Sequence, residues 1–166
     1  MSISAVRVGQ GFDIHRFSDD PSRALILGGV HFVGERGLEG HSDADVIAHA
    51  CADALLGAAG LGDIGQHFAD TDPAWKGVDS LIILDQVSVM VRAQGWLIGN
   101  IDCSVVCEQP KLAPRRDEMQ DKLSKTAGTT VSVKGRRAEG LGALGRQEGI
   151  ACWAVAVITK TNEEIG

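Results

Sequence analysis

The sequence predicts one α/β domain over residues 1–166, an α+β sandwich in which helices cover one face of a mixed sheet. Short runs with strand composition alternate along the chain with helical segments of a dozen residues or more, which is typical of this class. A length of 166 residues suits a single domain with a sizeable core. The chain has no internal repeat or low-complexity tract that would indicate a second unit.

The first half of the chain begins with strands and continues into a long helix. The segment "AVRVG" predicts a strand, and "RALILGGVHFV" predicts two short strands joined by a Gly-Gly turn. The segment "HSDADVIAHACADALLGAAGLG" predicts a helix with Ser42 as its N-cap and with Asp43 and Asp45 in its first turn. The polar stretch "DIGQHFADTDPAWKG" predicts a loop that contains one short helical turn.

The second half alternates helices and strands. Residues 79–94 predict a second helix, and "WLIGNIDCSVVCEQ" predicts a long strand. The segment "APRRDEMQDKLSKTAG" predicts a third helix with Pro114 near its first turn. The segments "TTVSVKG" and "GIACWAVAVITK" predict the closing strands.

Charge and composition exclude several classes of protein. The formal net charge of −6 argues against general nucleic-acid binding, and no apolar run is long enough to predict a membrane span. We expect a cytoplasmic protein, because no secretory signal is visible and the four cysteines form no CxxC pair.

The charges are unevenly distributed. Residues 1–76 hold 5 Lys and Arg against 11 Asp and Glu, whereas residues 111–146 hold 9 against 4. The acidic part could bind a cation and the basic part could bind phosphates, although the counts alone favour a solvated charged surface.

Candidate metal ligands lie near the start of the chain and on the first helix. Asp13 and His15 are separated by one residue, and by themselves they fit either metal ligands or polar residues at a strand end. His49 lies between Asp45 and Asp53 at four-residue spacing, which places the three on one helical face. One oxygen and two imidazole ligands with an open fourth position are typical of a catalytic zinc site. We expect Asp45 or Asp53 to orient His49 through its second ring nitrogen.

An ordered set of motifs along residues 6–160 resembles a known family. The motifs are "GFDIH", "GHSDADVIAHACADALLGAAGLGDIGQHF", "DTDP", "EQPKL" and "GRQEGIA". In order and spacing they resemble those of 2-C-methyl-D-erythritol 2,4-cyclodiphosphate synthases. The resemblance implies a homotrimer of α/β subunits with active sites between neighbours.

The same resemblance implies an activity. Such an enzyme is a phosphorus-oxygen lyase of the non-mevalonate route to isoprenoid precursors. It converts 4-diphosphocytidyl-2-C-methyl-D-erythritol 2-phosphate to the 2,4-cyclodiphosphate and CMP, by attack of the 2-phosphate on the β-phosphorus. It uses one Zn²⁺ per subunit and a second divalent cation, Mg²⁺ or Mn²⁺, with the substrate diphosphate.

Residue by residue, the resemblance implies that Asp13, His15 and His49 bind zinc and that His41 assists the transition state. Besides Asp13 and His15, the expected substrate-binding residues come from three parts of the chain. The first part, beside the expected metal ligands, supplies Ile14. The second part, within residues 41–72, supplies His41, Ser42, Asp63, Ile64, Gly65, Phe68, Ala69, Asp70, Thr71 and Asp72. The third part supplies Cys107, Glu108, Gln109, Pro110, Lys111, Leu112, Ala113, Arg136, Arg137, Ala138, Glu139, Ala143 and Arg146.

The turn "KGRRAEG" departs from the family pattern. Arg136 and Arg137 lie where relatives commonly carry threonines, one of which is credited with stabilising the transition state. If backbone N–H groups make the main contacts there, arginines are tolerable and add charge near the diphosphate. Our hypothesis is that Arg137 contacts the diphosphate as a catalytic group. The alternative is that both side chains point to solvent.

Two other interpretations use the same residues. A zinc-dependent phosphoester hydrolase would have the same ligands, with a metal-bound water as the nucleophile. A non-catalytic nucleotide-binding or metal-binding protein could be built on the same fold. Product analysis separates both of them from the synthase.

Overall fold

The computed structural model describes residues 3–161, with side chains for residues 5–160. This part of the chain holds six strands, five α-helices and two short 3₁₀-helices, Pro73–Trp75 and Ala113–Arg115. The strands are β1 (Ile3–Arg16), β2 (Leu25–Leu27), β3 (Val30–Phe32), β4 (Leu97–Val106), β5 (Thr130–Arg136) and β6 (Gly149–Thr161). The helices are α1 (Val46–Ala59), α2 (Ile64–His67), α3 (Ser80–Ala93), α4 (Arg116–Ala127) and α5 (Gly142–Gly145). No helix in these residues is long and apolar enough to cross a membrane.

The main sheet is mixed, as the sequence predicts. Its strand order is β1-β6-β4-β5. β6 pairs antiparallel with both β1 and β4, and β4 pairs parallel with β5. The parallel pair needs a long crossover, which α4 provides. β2 and β3 form a separate hairpin around the predicted turn, where Gly28 and Gly29 have φ angles of 57° and 70°.

Helix α1 lies directly on the backbone of β1. A Cβ atom on Gly9 would lie 2.1 Å from the Ala54 carbonyl oxygen, and one on Gly11 would lie 2.0 Å from that of Ala50. Only glycine allows this approach. Because side chains alternate along a strand, residues 13 and 15 face the same side as residues 9 and 11, towards α1.

The other face of β1 and β6 carries apolar side chains that remain 39–64% exposed in the single chain. These are Val6, Val8, Phe12, Ile14, Trp153 and Val155. Phe12 and Trp153 are cross-strand partners, and their ring centroids lie 4.9 Å apart. This face has the composition of a surface that is buried by association.

The structure corrects two details of the sequence prediction. β1 continues to Arg16, so Asp13 and His15 lie within the strand rather than beyond its end. Helix α1 begins at Val46 with Asp45, not Ser42, as its N-cap. Ala44 has a φ of 59°, which helical residues do not adopt, so the helix cannot extend back to Ser42.

The buried carboxylate of Asp45 joins α1 to the β2–β3 turn. Its Oδ1 atom accepts hydrogen bonds from the backbone N–H groups of Gly28 (2.9 Å), Ile47 (3.0 Å) and Ala48 (3.2 Å). Its Oδ2 atom accepts from Gly29 at 2.7 Å. Burial raises the pKa of Asp45 to about 6, and the nearby Asp43 carboxylate adds to the shift, whereas the N–H donors oppose it. One side chain therefore satisfies four backbone donors.

We expect Asp45→Ala to destabilise the fold by roughly 2–5 kcal/mol, because it removes a helix cap and leaves buried donors unpaired. Asp79 is a matched control, since it caps α3 from an exposed position and accepts from Leu81 N–H at 2.8 Å. Asp79→Ala should cost about 0.5–2 kcal/mol. Urea unfolding at one fixed protein concentration measures both values. Equal losses would contradict the role of Asp45.

Candidate active site

Three side chains from β1 and α1 converge as a metal-ligand cluster. Asp13 Oδ2 lies 3.1 Å from His15 Nε2 and 3.0 Å from His49 Nδ1. A tetrahedral zinc site with bonds of about 2.0–2.1 Å has ligand atoms about 3.3 Å apart, so these spacings fit it closely. Within the described residues, this is the group of His, Cys, Asp and Glu side chains that could hold a metal ion.

The cluster is partly buried, and its charges stabilise one another. Burial alone would raise the pKa of Asp13, but the hydrogen bonds and charges of His15 and His49 hold that pKa well below its ordinary value. Burial would likewise lower the pKa of His15, but its hydrogen bond to Asp13 and the negative charge there raise it. Asp13 therefore stays ionised, as a metal ligand must.

Both histidines are oriented through a second ring nitrogen, and the partner of His49 is not one of the two residues that the sequence predicts. The His15 ring also hydrogen-bonds the backbone of Glu39. His49 Nε2 lies 2.8 Å from Ser80 Oγ and 3.1 Å from Ser42 Oγ. The expectation that Asp45 or Asp53 orients His49 is wrong. Asp45 caps α1, as described above, and the Asp53 carboxylate accepts from Ile64 N–H at 3.2 Å.

A cavity of about 430 Å³ opens beside the cluster. It is lined by Asp13, His15, Gly40, His41, Ser42, His49, Ile64, Gly65, Phe68, Ala69, Asp70, Trp75 and Ile83. Most of the residues expected there from the first half of the chain are therefore brought together. The aromatic wall is formed by Phe68 and Trp75, which meet edge to face at 4.9 Å between centroids.

The loop that carries His41 is fixed from two sides. His41 Nε2 lies 3.0 Å from the Asp72 carbonyl oxygen, and since a carbonyl only accepts, this nitrogen carries the proton. Arg23 Nη2 donates to the carbonyl groups of Gly40 (2.9 Å) and Ser42 (2.7 Å). This wall of the cavity is thus held by hydrogen bonds from side chains to backbone carbonyl groups.

Several expected residues lie outside this lining. The side chain of Ile14 is 50% exposed on the uncovered face of the sheet. Asp63 caps α2 by accepting from Gln66 N–H at 3.0 Å, and Asp72 accepts from Ala74 N–H at 2.9 Å. Thr71 does not line the cavity. The hydrogen bonds of Asp63 and Asp72 shape the loop around the cavity.

A second groove, of about 270 Å³, is formed by the predicted basic part of the chain. It is lined by residues 107–113, Gly135, Arg136 and Arg137, together with Arg116, which sequence reasoning missed. Arg137 is not simply solvated. Its Nε and Nη2 atoms each lie 3.2 Å from Glu108 Oε2, although the side chain is 68% exposed.

The remaining predicted residues line neither cavity. Ala138, Glu139, Ala143 and Arg146 lie in the turn and short helix that follow β5. Arg146 Nε donates to Glu148 Oε1 at 2.7 Å. The metal cavity and the basic groove have no lining residue in common.

Sequence reasoning also missed Ser80, Trp75 and Ile83, which reach the metal cavity or its ligands from beyond residue 72. They carry no ligand spacing that would single them out, because α3 and the turn before it approach the site only through folding. Gly40 was missed as well, and the reason for a glycine there is visible only in the structure, where a Cβ would lie 2.8 Å from Ala44 Cβ and 3.0 Å from His15 Cε1.

Comparison with known proteins identifies the fold and family. Residues 6–159 match the model of the YgbB family. A 2-C-methyl-D-erythritol 2,4-cyclodiphosphate synthase from a Nostoc species is 52% identical over 162 residues, which cover 96% of this chain and 97% of the relative.

Solved structures agree. The bifunctional IspDF of Campylobacter jejuni matches with a TM-score of 0.89 and 38% identity over 95% of this chain, which spans 43% of that protein. A Plasmodium falciparum IspF structure, a CDP complex, matches with a TM-score of 0.82 and 32% identity, over 97% of this chain and 100% of the other. The chain therefore belongs to the YgbB family, the family of 2-C-methyl-D-erythritol 2,4-cyclodiphosphate synthases.

Proposed function

We propose that this chain converts 4-diphosphocytidyl-2-C-methyl-D-erythritol 2-phosphate to 2-C-methyl-D-erythritol 2,4-cyclodiphosphate and CMP. A 2-phosphate oxygen forms a bond to the β-phosphorus. The bond from the β-phosphorus to the bridging oxygen breaks, and its electron pair leaves with CMP, which makes the enzyme a phosphorus-oxygen lyase. The observation that carries this proposal is the Asp13–His15–His49 cluster in the lining of the 430 Å³ cavity, in a chain of this family.

Zn²⁺ is the metal that best fits the cluster, one ion per subunit. Two imidazoles and one carboxylate at tetrahedral spacing leave a fourth position for substrate. A zinc ion bound there would supply positive charge to a phosphate oxygen, and a second ion, Mg²⁺ or Mn²⁺, would accompany the diphosphate. Carboxylate and phosphate oxygens suit these harder cations.

Positioning by the chain's own residues should account for most of the catalysis. The attacking group is already an anion, so no Ser-His-Asp arrangement is needed. Holding an intramolecular pair in reactive geometry contributes up to about 7–11 kcal/mol, whereas a general base adds only about 10²–10⁴-fold in rate. We assign the aromatic wall of Phe68 and Trp75 to the methylerythritol part and His41 to the phosphate in the transition state.

We assign the basic groove to the cytidine nucleotide. Residues 107–113 form one wall of this groove, and Arg116, Arg136 and Arg137 supply positive charge for phosphates. A relative from Plasmodium falciparum, 32% identical, has been solved as a CDP complex. The role of Arg137 depends on whether its guanidinium stays paired with the Glu108 carboxylate or breaks this ion pair when the diphosphate binds.

We propose further that the active form is a homotrimer with sites between subunits. Each site would combine the metal cavity of one subunit with the basic groove of its neighbour, which is consistent with the two having no lining residue in common in one chain. The exposed apolar face around Phe12 and Trp153 supplies a surface for association. Closed rings make such two-part interfaces natural. We place the enzyme in the cytoplasm, in the non-mevalonate route.

The proposed substrate should give CMP and the cyclic diphosphate in equal amounts, and a chelator should abolish both products because the ligand cluster then holds no cation. Phosphorus NMR of the reaction mixture follows both products, with His49→Ala as the inactive reference. A linear phosphate product would instead indicate a phosphoester hydrolase. Nucleotide binding with no release of CMP would indicate a binding protein.

Mixing two inactive variants should restore part of the activity if the site is shared. His49→Ala disables the metal cavity and Lys111→Ala the basic groove, so some mixed interfaces regain two intact halves. Asp13→Ala mixed with His49→Ala is the matched control and should recover nothing, since both changes affect the same half. Absence of recovery in the first mixture, with subunit exchange proven by mass spectrometry, would argue against a shared site.

Arg137→Ala should lower kcat/KM at least tenfold, about 1.4 kcal/mol of transition-state binding, if the guanidinium reaches the diphosphate. Arg137→Thr should be milder, because it restores the residue type common in the family. Arg36→Ala is the control, since Arg36 also pairs with a carboxylate, Asp19 at 3.2 Å, and lines neither the metal cavity nor the basic groove. An unchanged kcat/KM in Arg137→Ala at every ionic strength would contradict a role of the Arg137 side chain, and the backbone of the turn would then make the contacts to the diphosphate.

A further inference from the structure

Beyond the second ring nitrogen of His49 lie the buried hydroxyl of Ser80 and the half-buried carboxylate of Asp43. Ser80 Oγ lies 2.8 Å from His49 Nε2, and the same hydroxyl donates to Asp43 Oδ1. We propose that Ser80, with Asp43 behind it, is a positioning residue that fixes the proton of His49 on Nε2. This proposal rests on the metal centre of the proposed function and adds a determinant of its affinity.

The direction of the hydrogen bonds follows from counting protons. An ionised carboxylate only accepts, so the single hydroxyl proton of Ser80 is donated to Asp43. Ser80 Oγ is then left with lone pairs alone, and His49 Nε2 must be the donor in their contact. In the zinc-bound protein, a proton on Nε2 would leave the lone pair of Nδ1 for the metal, and Nδ1 is the nitrogen that faces Asp13 Oδ2 at 3.0 Å.

The Ser80–Asp43 pair is held in place by hydrogen bonds at the N-termini of two helices, α1 and α3. Ser80 is fully buried and is the first residue of α3, and its backbone N–H donates to Asp43 Oδ2 at 3.2 Å. Asp43 Oδ1 also accepts from the N–H of Asp45, the N-cap of α1, at 3.1 Å. The carboxylate therefore connects the start of α3 to the start of the helix that carries His49.

Ser42 offers a weaker alternative to the same nitrogen. Its hydroxyl lies 3.1 Å from His49 Nε2, compared with 2.8 Å for Ser80, and it accepts from Ala44 N–H at 3.3 Å. Its nearest hydroxyl neighbour is Ser80 Oγ itself, at 3.3 Å. Among residues 5–160 the Ser42 hydroxyl has no hydrogen bond to a carboxylate, whereas Ser80 donates to Asp43. Ser80 is therefore the residue that polarises the imidazole.

Removing the hydroxyl should weaken metal binding without disturbing the fold. Partners of this kind behind a ligating histidine typically change metal affinity by about 10–100-fold, and we expect a loss in that range for Ser80→Ala. Ser88→Ala is the matched control, because Ser88 is a buried serine of the same helix whose hydroxyl donates to the Leu84 carbonyl at 2.8 Å. Asp43→Asn, which keeps an acceptor oxygen but removes the charge, should give a smaller loss than Ser80→Ala.

The test combines zinc competition against a chromophoric chelator with long-range proton–nitrogen NMR of the His49 ring, in the full chain. The expected spectrum of the zinc-loaded wild type has a protected proton on Nε2 and the metal on Nδ1. Ser80→Ala should weaken zinc binding and speed exchange of the Nε2 proton with water. The unfolding midpoint of the metal-free protein should match that of Ser88→Ala.

Two results would overturn the proposal. One is wild-type zinc affinity and an unchanged His49 spectrum in Ser80→Ala, and the other is a wild-type His49 with no proton on Nε2. Failure of the wild type to bind zinc would instead reject the metal assignment. In that case the spectra of the metal-free proteins test the role of Ser80. The proposal is supported if the Nε2 proton of His49 loses its protection in Ser80→Ala but not in Ser88→Ala, and it is rejected if the protection is retained in Ser80→Ala.

Discussion

The contact between the glycine backbone of β1 and helix α1 is the constraint on which the site depends. Side chains at Gly9 and Gly11 would collide with the carbonyl groups of α1, so only glycine lets the helix lie this close. The next residues on the same face, Asp13 and His15, then meet His49 from the helix at 3.0–3.1 Å spacing. The buried Asp45 fixes where that helix begins. The metal-ligand cluster is therefore a consequence of strand-to-helix packing, and its three side chains come from regular secondary structure and not from loops.

Residues whose spacing reflects regular structure could be predicted from the sequence, whereas residues delivered by tertiary packing could not. The one-residue separation of Asp13 and His15 and the four-residue spacing around His49 made these three residues candidates, and the family resemblance selected them as the ligand set. The N-cap was misassigned because Ser42 and Asp45 are both good caps, and only the positive φ of Ala44 decides between them. Ser80 and Trp75 have no pattern of their own, because α3 and the preceding turn reach the site through folding.

The separation of charge along the chain corresponds to two cavities with different chemistry. The acidic first half supplies the metal ligands, and the basic later part surrounds a groove suited to phosphates. Arg137 shows why the counts alone could not settle its role. It lines the groove, yet its guanidinium is held by the carboxylate of Glu108, whose side chain is only 7% exposed. An arginine in that position can place its charge beside a diphosphate. Alternatively, it can stiffen the turn, and the backbone N–H groups of the turn then bind the diphosphate.

The central claim is that β1 and α1 together build a preformed zinc centre with a fixed histidine tautomer. The most direct measurement is a crystal structure of the zinc-loaded protein with anomalous diffraction at the zinc absorption edge. Our account predicts one peak per chain, about 2.0–2.2 Å from Asp13 Oδ2, His15 Nε2 and His49 Nδ1, with β1 and α1 unmoved. A peak on other residues, or one bound by Nε2 of His49 after its ring has turned away from Ser80, would contradict it.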